Sequence, residues 1–220
     1  MLVGADATKA RLCELLFHEG SPEVLFTAGH GIGFKKGNSR RRELQGALVA
    51  QDWPGPGNAV RDDHYLSGTD VPSDRPVRAR VIMSFACFGA GTPESAAHPA
   101  FVARLPQRLL GNPAGGALAY VGHVDRALGY SYMWPNAGTQ TDHFASVLRA
   151  LMDGWRVGHA KEYFDARALD VTWSLRSLQE RANRFREAVD PFELAELWTA
   201  SHDACNYVVL GDPAVRAHAH

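Results

Sequence analysis

Short apolar runs alternate with longer stretches of helical periodicity, and this alternation constrains the fold of the chain more than any other feature. The apolar runs lie at residues 23–29, 46–51, 80–86, 116–122 and 206–210. The stretches with helical spacing of apolar residues lie at 6–19, 100–110, 141–152, 158–188 and 192–199. Because parallel strands need long crossover connections, this order predicts an α/β fold with a mostly parallel sheet and helices on both faces.

The first apolar run, 23–29, is bounded by Pro22 and Gly29 and suits a strand covered on both faces. The segment that follows, 30–44, contains three glycines and a cluster of Lys and Arg residues, which is typical of a solvated surface loop. The run at 80–86 is the strongest candidate for a buried strand. It leads directly into Cys87 and a glycine-rich turn.

Length and composition favour one domain spanning residues 1–220. The 220 residues are 45% hydrophobic, and the net charge of −1 argues against a nucleic-acid partner. No apolar run approaches the roughly 20 residues that span a bilayer, so we expect a cytoplasmic protein without a membrane partner. The three cysteines fit neither a disulfide framework nor a metal motif, and we expect no metal or other cofactor. Residues 214–220 are predicted to form a disordered tail.

Two predicted strands end in residues suited to nucleophilic chemistry. His30 follows the first run between two glycines, and Cys87 follows the strongest run. Functional groups of open α/β sheets gather at the carboxyl ends of the strands, so His30 and Cys87 would share one rim if their strands are neighbours. A thiolate at Cys87 would be the nucleophile and the imidazole of His30 would move the proton. The N–H groups of Gly31 and Cys87 would stabilise the oxyanion.

Each half of this dyad also has an ordinary structural explanation. A cysteine that follows an apolar strand is often an inert packing residue, and a histidine between glycines can simply belong to a turn. The glycines at 29, 31 and 33 superficially suggest a phosphate-binding loop, but no Gly-Lys-Ser/Thr sequence follows them.

The combination of the two motifs resembles a known family. Gly29-His30-Gly31 at the end of one strand and Ala86-Cys87 at the end of the next major strand are similar to the histidine and cysteine motifs of caspase-fold cysteine peptidases, closest to the gingipain-type and CHAT-domain members. Residues 116–126, 129–131 and 210–213 also resemble the later strands of that group. The resemblance implies a three-layer caspase-like fold, with His30 as general acid/base, Cys87 as nucleophile and Gly31 as an oxyanion donor.

The chain departs from the family pattern at three points. Phe85 stands where metacaspases have an acidic residue, so their pocket for a basic P1 side chain is not carried over. Ala90 stands where CHAT domains usually have glycine. The strands that ordinarily precede the histidine strand are missing, since only one helix is predicted there. We therefore expect an N-terminally incomplete sheet whose open edge is covered by a regulatory partner chain or by a homo-oligomer.

Further side chains are candidates for substrate binding. Asp125 ends a strand expected beside the cysteine strand, and its carboxylate would receive a basic P1 side chain. The alternative for Asp125 is a structural pair with His123 or Arg126. Trp134 and Met133 would line the same pocket, and the alternative for both is packing against the protein core. Asp52 and Trp53 are candidates for the rim of the pocket.

These observations predict a cysteine endopeptidase that acts on protein or peptide substrates through the Cys87–His30 dyad. A catalytically silent caspase-fold scaffold is the alternative from another functional class. An amidase that uses the same dyad on small molecules is a third possibility. The distance of Cys87 from His30 in the folded chain distinguishes the catalytic hypotheses from an accidental pairing of motifs.

Overall fold

The computed structural model describes residues 3–95, 99–134 and 138–218, which form an α/β fold with a mostly parallel central sheet flanked by helices. The α-helices of these residues are α1 (Lys9–Phe17), α2 (Arg41–Leu44), α3 (Arg104–Leu110), α4 (Asp142–Met152), α5 (Val157–Asn183) and α6 (Pro191–Ala204). The strands are β1 (Val24–Ala28), β2 (Leu48–Val49), β3 (Tyr65–Leu66), β4 (Val81–Phe85), β5 (Gly91–Thr92), β6 (Phe101–Val102), β7 (Ala119–His123), β8 (Met133–Trp134), β9 (Gly138–Thr139) and β10 (Tyr207–Gly211).

The central sheet has the strand order β1-β4-β7-β10. β1, β4 and β7 are parallel, and β10 closes the other side of the sheet antiparallel to β7. Ala28 of β1 pairs with Phe85 of β4, so these two strands end at the same level. The predicted mostly parallel sheet is confirmed, and it brings the carboxyl ends of β1 and β4 side by side.

Alternating residues of β4 and β7 build two cores on opposite faces of the sheet. Ile82 and Tyr120 pack in a cluster with residues of α1 and α3, whereas Met83 and Val121 pack in a cluster with residues of α4 and α5. All four side chains are at most 2% exposed. A strand that is buried on both faces needs apolar residues at successive positions, which explains why the sequence of β4 reads as a continuous apolar run.

β1 differs from the prediction of a strand covered on both faces. Leu25 is buried on the α1 side, but Phe26 on the other face is 37% exposed. β1 is an edge strand of the sheet, and α4 leaves its carboxyl end uncovered. The apolar run at residues 23–29 therefore forms a strand with one buried face and one face that borders an open cleft.

Other predicted elements are present with different bounds. The helix expected at 100–110 begins at Arg104, because residues 101 and 102 form β6 and pair with β5. The helix expected at 158–188 ends at Asn183. No helix in the described ranges is both long enough and apolar enough to cross a membrane.

The residues after β10 pack against α5 as far as the structure describes them. Val157 N–H donates a hydrogen bond of 3.0 Å to Val215 O, and Ala217 is fully buried. The structure differs from the expected disordered tail at these residues, because Val215 and Ala217 pack in the core cluster of α4 and α5, whereas Ala214 and Arg216 are exposed. Residues 219 and 220 of that tail lie outside the described residues.

Candidate functional site

The parallel pairing of β1 and β4 places His30 beside Cys87. Gly29 N–H donates to Phe85 O at 3.0 Å, which extends the ladder one residue beyond β1. His30 and Cys87 each lie two residues beyond the last paired residues, Ala28 and Phe85. The sheet therefore brings together the two side chains that sequence analysis selected as a dyad.

The backbones of Gly31 and Cys87 are in direct contact. A Cβ atom at position 31 would lie 1.9 Å from the carbonyl oxygen of Cys87 and 3.1 Å from its nitrogen. A Cβ atom cannot approach backbone atoms that closely, so this approach requires glycine. Gly31 thus permits the packing of the histidine loop against the cysteine turn.

His30 and Cys87 line the same cleft. Its volume is about 680 Å³, within the range of small-molecule pockets. The cleft opens between the ends of β1 and β4, the start of α4 and the loop after β7. Its lining residues are Phe26, Ala28, Gly29, His30, Phe85, Cys87, Ala127, Gly129, Tyr132, Thr141, Phe144, Ala145 and Leu148. Apart from His30 and Cys87, the described lining side chains are apolar or uncharged.

The chain turns sharply immediately after Cys87. Phe88 has a φ of 57°, a left-handed conformation that costs a non-glycine residue of order 1–3 kcal/mol. Two contacts hold it there: Phe88 N–H donates to Asp125 O at 2.6 Å, and the Phe88 carbonyl oxygen packs against Gly46. A Cβ atom at Gly46 would lie 2.1 Å from that oxygen. The turn that presents Cys87 is therefore fixed by both neighbouring loops.

Two backbone N–H groups beside the thiol are free of protein acceptors. Gly31 forms a β-bridge with Leu48 through hydrogen bonds of its neighbours, Ile32 N–H to Ala47 O and Val49 N–H to His30 O. The bridge leaves the N–H of Gly31 unused. Among the described residues, neither this group nor the N–H of Cys87 donates a hydrogen bond to the protein. Both groups are available as oxyanion donors.

The side chains of the dyad have few polar partners. Cys87 is partly buried, and its thiol donates a hydrogen bond of 3.5 Å from Sγ to the carbonyl oxygen of Ala127. His30 is exposed, and its ring forms no hydrogen bond with any of the described residues. The imidazole is therefore free to interact with a substrate or with the thiol.

A buried polar cluster anchors the loop that faces Cys87. The carboxylate of Asp203, on α6, accepts hydrogen bonds from Leu128 N–H at 2.7 Å and from the Ser131 hydroxyl. The same hydroxyl lies 3.0 Å from the Tyr207 hydroxyl. Asp203 is 1% exposed and His123 fully buried. The cluster fixes residues 127–132, three of which line the cleft.

His123 belongs to the same cluster and carries a raised pKa. Burial opposes protonation of His123, but the nearby carboxylate of Asp203 and two backbone carbonyls outweigh burial and raise the pKa of His123 above 6.5. Its Nε2 lies 2.9 Å from Asp203 O and its Nδ1 lies 2.9 Å from Asp125 O. A protonated ring donates to both carbonyls at once. Sequence analysis did not assign a role to Asp203, because its partners lie more than 70 positions away in the chain.

Asp125 is close to the cysteine turn but does not line the cleft. Its Oδ1 accepts a hydrogen bond from Arg126 N–H at 2.7 Å, and its Oδ2 lies 3.2 Å from Nε2 of His202. The expected role of Asp125 in binding a basic side chain is not supported by this placement, because α6 supplies its partner. The backbone carbonyl of Asp125, and not its side chain, forms hydrogen bonds with Phe88 N–H and with Nδ1 of His123.

Asp52 and Trp134 also lie away from the cleft. Asp52 accepts a hydrogen bond of 2.6 Å from Lys9 N–H at the start of α1, so it caps that helix. The guanidinium of Arg167 lies 3.6 Å from the ring centre of Trp134 and packs it against α5. Trp53 lines the neighbouring groove along β1, which His30 also borders, and Met133 is 48% exposed in β8 outside the cleft. Of the catalytic and substrate-binding residues predicted from the sequence, the structure therefore brings together His30, Gly31 and Cys87.

The described residues contain no group of three or more His, Cys, Asp or Glu side chains arranged to hold a metal ion. No protein-family model matches the chain, and no curated protein or solved structure matches it either. The function is therefore inferred from the geometry of the site.

Proposed function

We propose that this protein is a cysteine endopeptidase with a caspase-like α/β fold, in which Cys87 is the nucleophile and His30 the general acid/base. The observation that carries the proposal is the position of His30 and Cys87 at the carboxyl ends of adjacent parallel strands, where both line one cleft. The contact between Gly31 and Cys87 supports it, since it ties the two ends together. A cytoplasmic location would keep the thiol reduced.

The proposed reaction proceeds through an acyl-enzyme. The Cys87 thiolate attacks the carbonyl carbon of the scissile peptide bond, and a C–S bond forms as the carbonyl oxygen becomes an oxyanion. Protonated His30 gives its proton to the leaving amine as the C–N bond breaks. His30 then removes a proton from water, which attacks the thioester and releases the carboxylate product and the thiolate.

Backbone groups would stabilise the oxyanion. The N–H groups of Gly31 and Cys87, which follow the ends of β1 and β4, donate to no acceptor among the described residues. Loss of one such donor costs about 2.7–4 kcal/mol of activation free energy in other acyl-transfer enzymes. The left-handed Phe88 supports the same assignment, because strained residues that their surroundings hold in place cluster at functional sites.

Selective alkylation tests the dyad. Iodoacetamide at pH 7, followed by peptide mass spectrometry, compares Cys87 with the internal references Cys13 and Cys205. Cys205 is the exposed thiol and Cys87 is only partly exposed, so faster reaction at Cys87 requires activation rather than access. We expect Cys87 to react at least about 10-fold faster than the references. His30→Ala should abolish that advantage.

His18→Ala is the matched control, because His18 is an exposed histidine outside the cleft. It should leave the alkylation of Cys87 unchanged. Cleavage of a peptide library, lost in Cys87→Ala, then distinguishes an endopeptidase from an amidase of small molecules. Equal and slow alkylation of all three cysteines contradicts the proposal.

A catalytically silent scaffold is the second candidate. The observation in its favour is the contact between Cys87 Sγ and the carbonyl oxygen of Ala127, which directs a protonated thiol away from an acid–base partner. A neutral thiol held in this way would react slowly with iodoacetamide. The alkylation experiment therefore decides between the two candidates.

We also propose that the open edge of β1 pairs with β1 of a second copy. Gly29 N–H and Glu23 O face β4, so the backbone groups of residues 24, 26 and 28 face the other way. Among the described residues they have no partner. Of these three residues, Phe26 and Ala28 line a groove of about 510 Å³. Antiparallel pairing centred on Phe26 would give hydrogen-bond partners to the backbone N–H and C=O groups of residues 24, 26 and 28. It would also place a strand of the second copy beside His30, which lines this groove.

A further inference from the structure

The walls of the cleft beside Cys87 are built from aromatic and aliphatic side chains. Phe85 packs edge-on against Phe144 and Tyr132, with ring centres 5.7 Å apart in both pairs. Phe26 completes the row at 6.2 Å from Phe144. These rings therefore form one continuous aromatic wall, held by edge-to-face and tilted contacts.

Part of this apolar wall remains open to solvent. Phe26 and Tyr132 are each 37% exposed, and both border the cleft that contains the thiol. An exposed apolar patch that is continuous with reactive groups is typical of a ligand-binding site. α4, which carries Phe144, also contributes Ala145 and Leu148 to the lining of the cleft.

The cleft lacks a group that would receive a charged side chain. None of its described lining residues is Asp, Glu, Lys or Arg. Asp125, the acidic residue that the sequence offers for this role, is occupied by Arg126 N–H and His202. An ammonium or guanidinium group in this cleft would lose its hydration without gaining a carboxylate, whereas an apolar side chain gains contact area.

We propose that the cleft binds a large apolar side chain, aromatic or leucine-like, on the acyl side of the bond that Cys87 attacks. The proposal rests on the proposed function for its position relative to the scissile bond. It assigns Phe26, Phe85, Tyr132 and Leu148 as the residues that determine specificity. The sequence leaves the P1 preference open, and this proposal assigns an apolar side chain in place of the basic one considered for Asp125.

Covalent probes with one reactive group and different side chains test this preference. The acetylated chloromethyl ketones of phenylalanine, leucine, lysine and aspartate alkylate a cysteine as the C–S bond forms, the C–Cl bond breaks and chloride leaves. We expect the phenylalanine and leucine probes to inactivate Cys87 at least about 100-fold faster than the lysine and aspartate probes. Iodoacetamide, which has no side chain, measures the thiol alone.

A substitution on α4 fills the cleft without touching the dyad. Ala145 is exposed at the cleft wall, so Ala145→Phe should slow the phenylalanine probe at least about 10-fold more than it slows iodoacetamide, which has no side chain to place in the cleft. Met152→Phe is the control, because Met152 lies on the same helix, is 61% exposed and does not line the cleft. It should change neither rate.

The possible results separate the specificity from the reaction. Cys87 could react rapidly with iodoacetamide in a reaction that depends on His30 and yet be alkylated at equal rates by the lysine and phenylalanine probes. That result would overturn the apolar preference and leave the proposed function intact. If Cys87 is inert, binding is measured directly by ¹⁵N NMR of Cys87→Ser with N-acetyl-phenylalanine amide and N-acetyl-lysine amide. Shifts that appear only with the phenylalanine compound and at residues that line the cleft support the apolar site, and their absence overturns it.

Discussion

Gly31 and Cys87 touch through their backbones, and a Cβ atom at position 31 would lie 1.9 Å from the carbonyl oxygen of Cys87. No rotamer change relieves such an overlap, because both partners are main chain. Either the histidine loop or the cysteine turn must move. The relative position of His30 and Cys87 therefore depends on one missing methyl group.

Gly31→Ala should destabilise the fold and separate the dyad. We expect a loss of about 1–3 kcal/mol in the free energy of unfolding, the usual cost of overpacking, measured by urea denaturation. The alkylation rate of Cys87 should fall to that of the reference cysteines.

Gly29→Ala is the matched substitution for stability. A Cβ atom there would meet only Val49 O at 3.8 Å, an ordinary contact, so the unfolding free energy should change by less than about 1 kcal/mol. Equal stability of the Gly31 and Gly29 variants would show that the close contact is not a constraint on the site.

Asp203→Asn should loosen the loop that faces Cys87. The amide replaces one carboxylate oxygen with a donor, so either Leu128 N–H or the Ser131 hydroxyl loses its acceptor in a fully buried cluster. Hydrogen bonds to buried charged groups contribute about 1.5–3 kcal/mol, and we expect a loss of that size in urea denaturation. Peptide cleavage should fall as well, because residues 127–132 border the cleft.

Asp165→Asn is the control for the loss of a carboxylate. Asp165 forms an exposed ion pair with Lys161 on α5, and such pairs contribute about 0.3–0.5 kcal/mol. A similar loss of stability in both Asp variants would argue against a special role for the buried cluster.

The raised pKa of His123 predicts a pH-dependent contribution to stability. A group whose pKa is higher in the folded state stabilises the fold below its ordinary pKa of 6.5, and the contribution is lost as the pH rises through the folded-state pKa. The difference in unfolding free energy between the wild type and His123→Gln should therefore be larger at pH 5.5 than at pH 8.5. The other histidines are common to both proteins and cancel in this difference. A difference that is constant with pH, or larger at pH 8.5, would contradict the raised pKa.

The sequence predicts the parts of this molecule that depend on local pattern. β4 and β7 are continuous apolar runs because both of their faces are buried, and their parallel pairing follows from the crossover connection through α3 between them. His30 and Cys87 could be selected because reactive residues directly follow two of these runs. Their proximity required only that β1 and β4 be neighbours.

The remaining features depend on contacts between distant segments. Asp125 ends a strand as predicted, but its carboxylate is occupied by His202 of α6, which no local pattern places there. The carboxylate of Asp52 likewise accepts a hydrogen bond from Lys9 N–H at the start of α1. The exposed face of β1 was missed for the same reason, since Phe26 is apolar but α4 stops short of covering it. Composition shows that a side chain is apolar and not whether another element reaches it.

The open edge of β1 gives a last prediction, for self-association. Val24 N–H faces away from β4, so Val24→Pro removes a donor from the free edge and none from the central sheet. If two copies pair through β1, this variant should weaken dimerisation at least about 10-fold, as measured by sedimentation velocity over a range of concentrations. Val24→Thr keeps the N–H and should dimerise like the wild type. A wild-type protein that stays monomeric at all concentrations, or a Val24→Pro variant that dimerises equally well, would contradict pairing of two copies through β1.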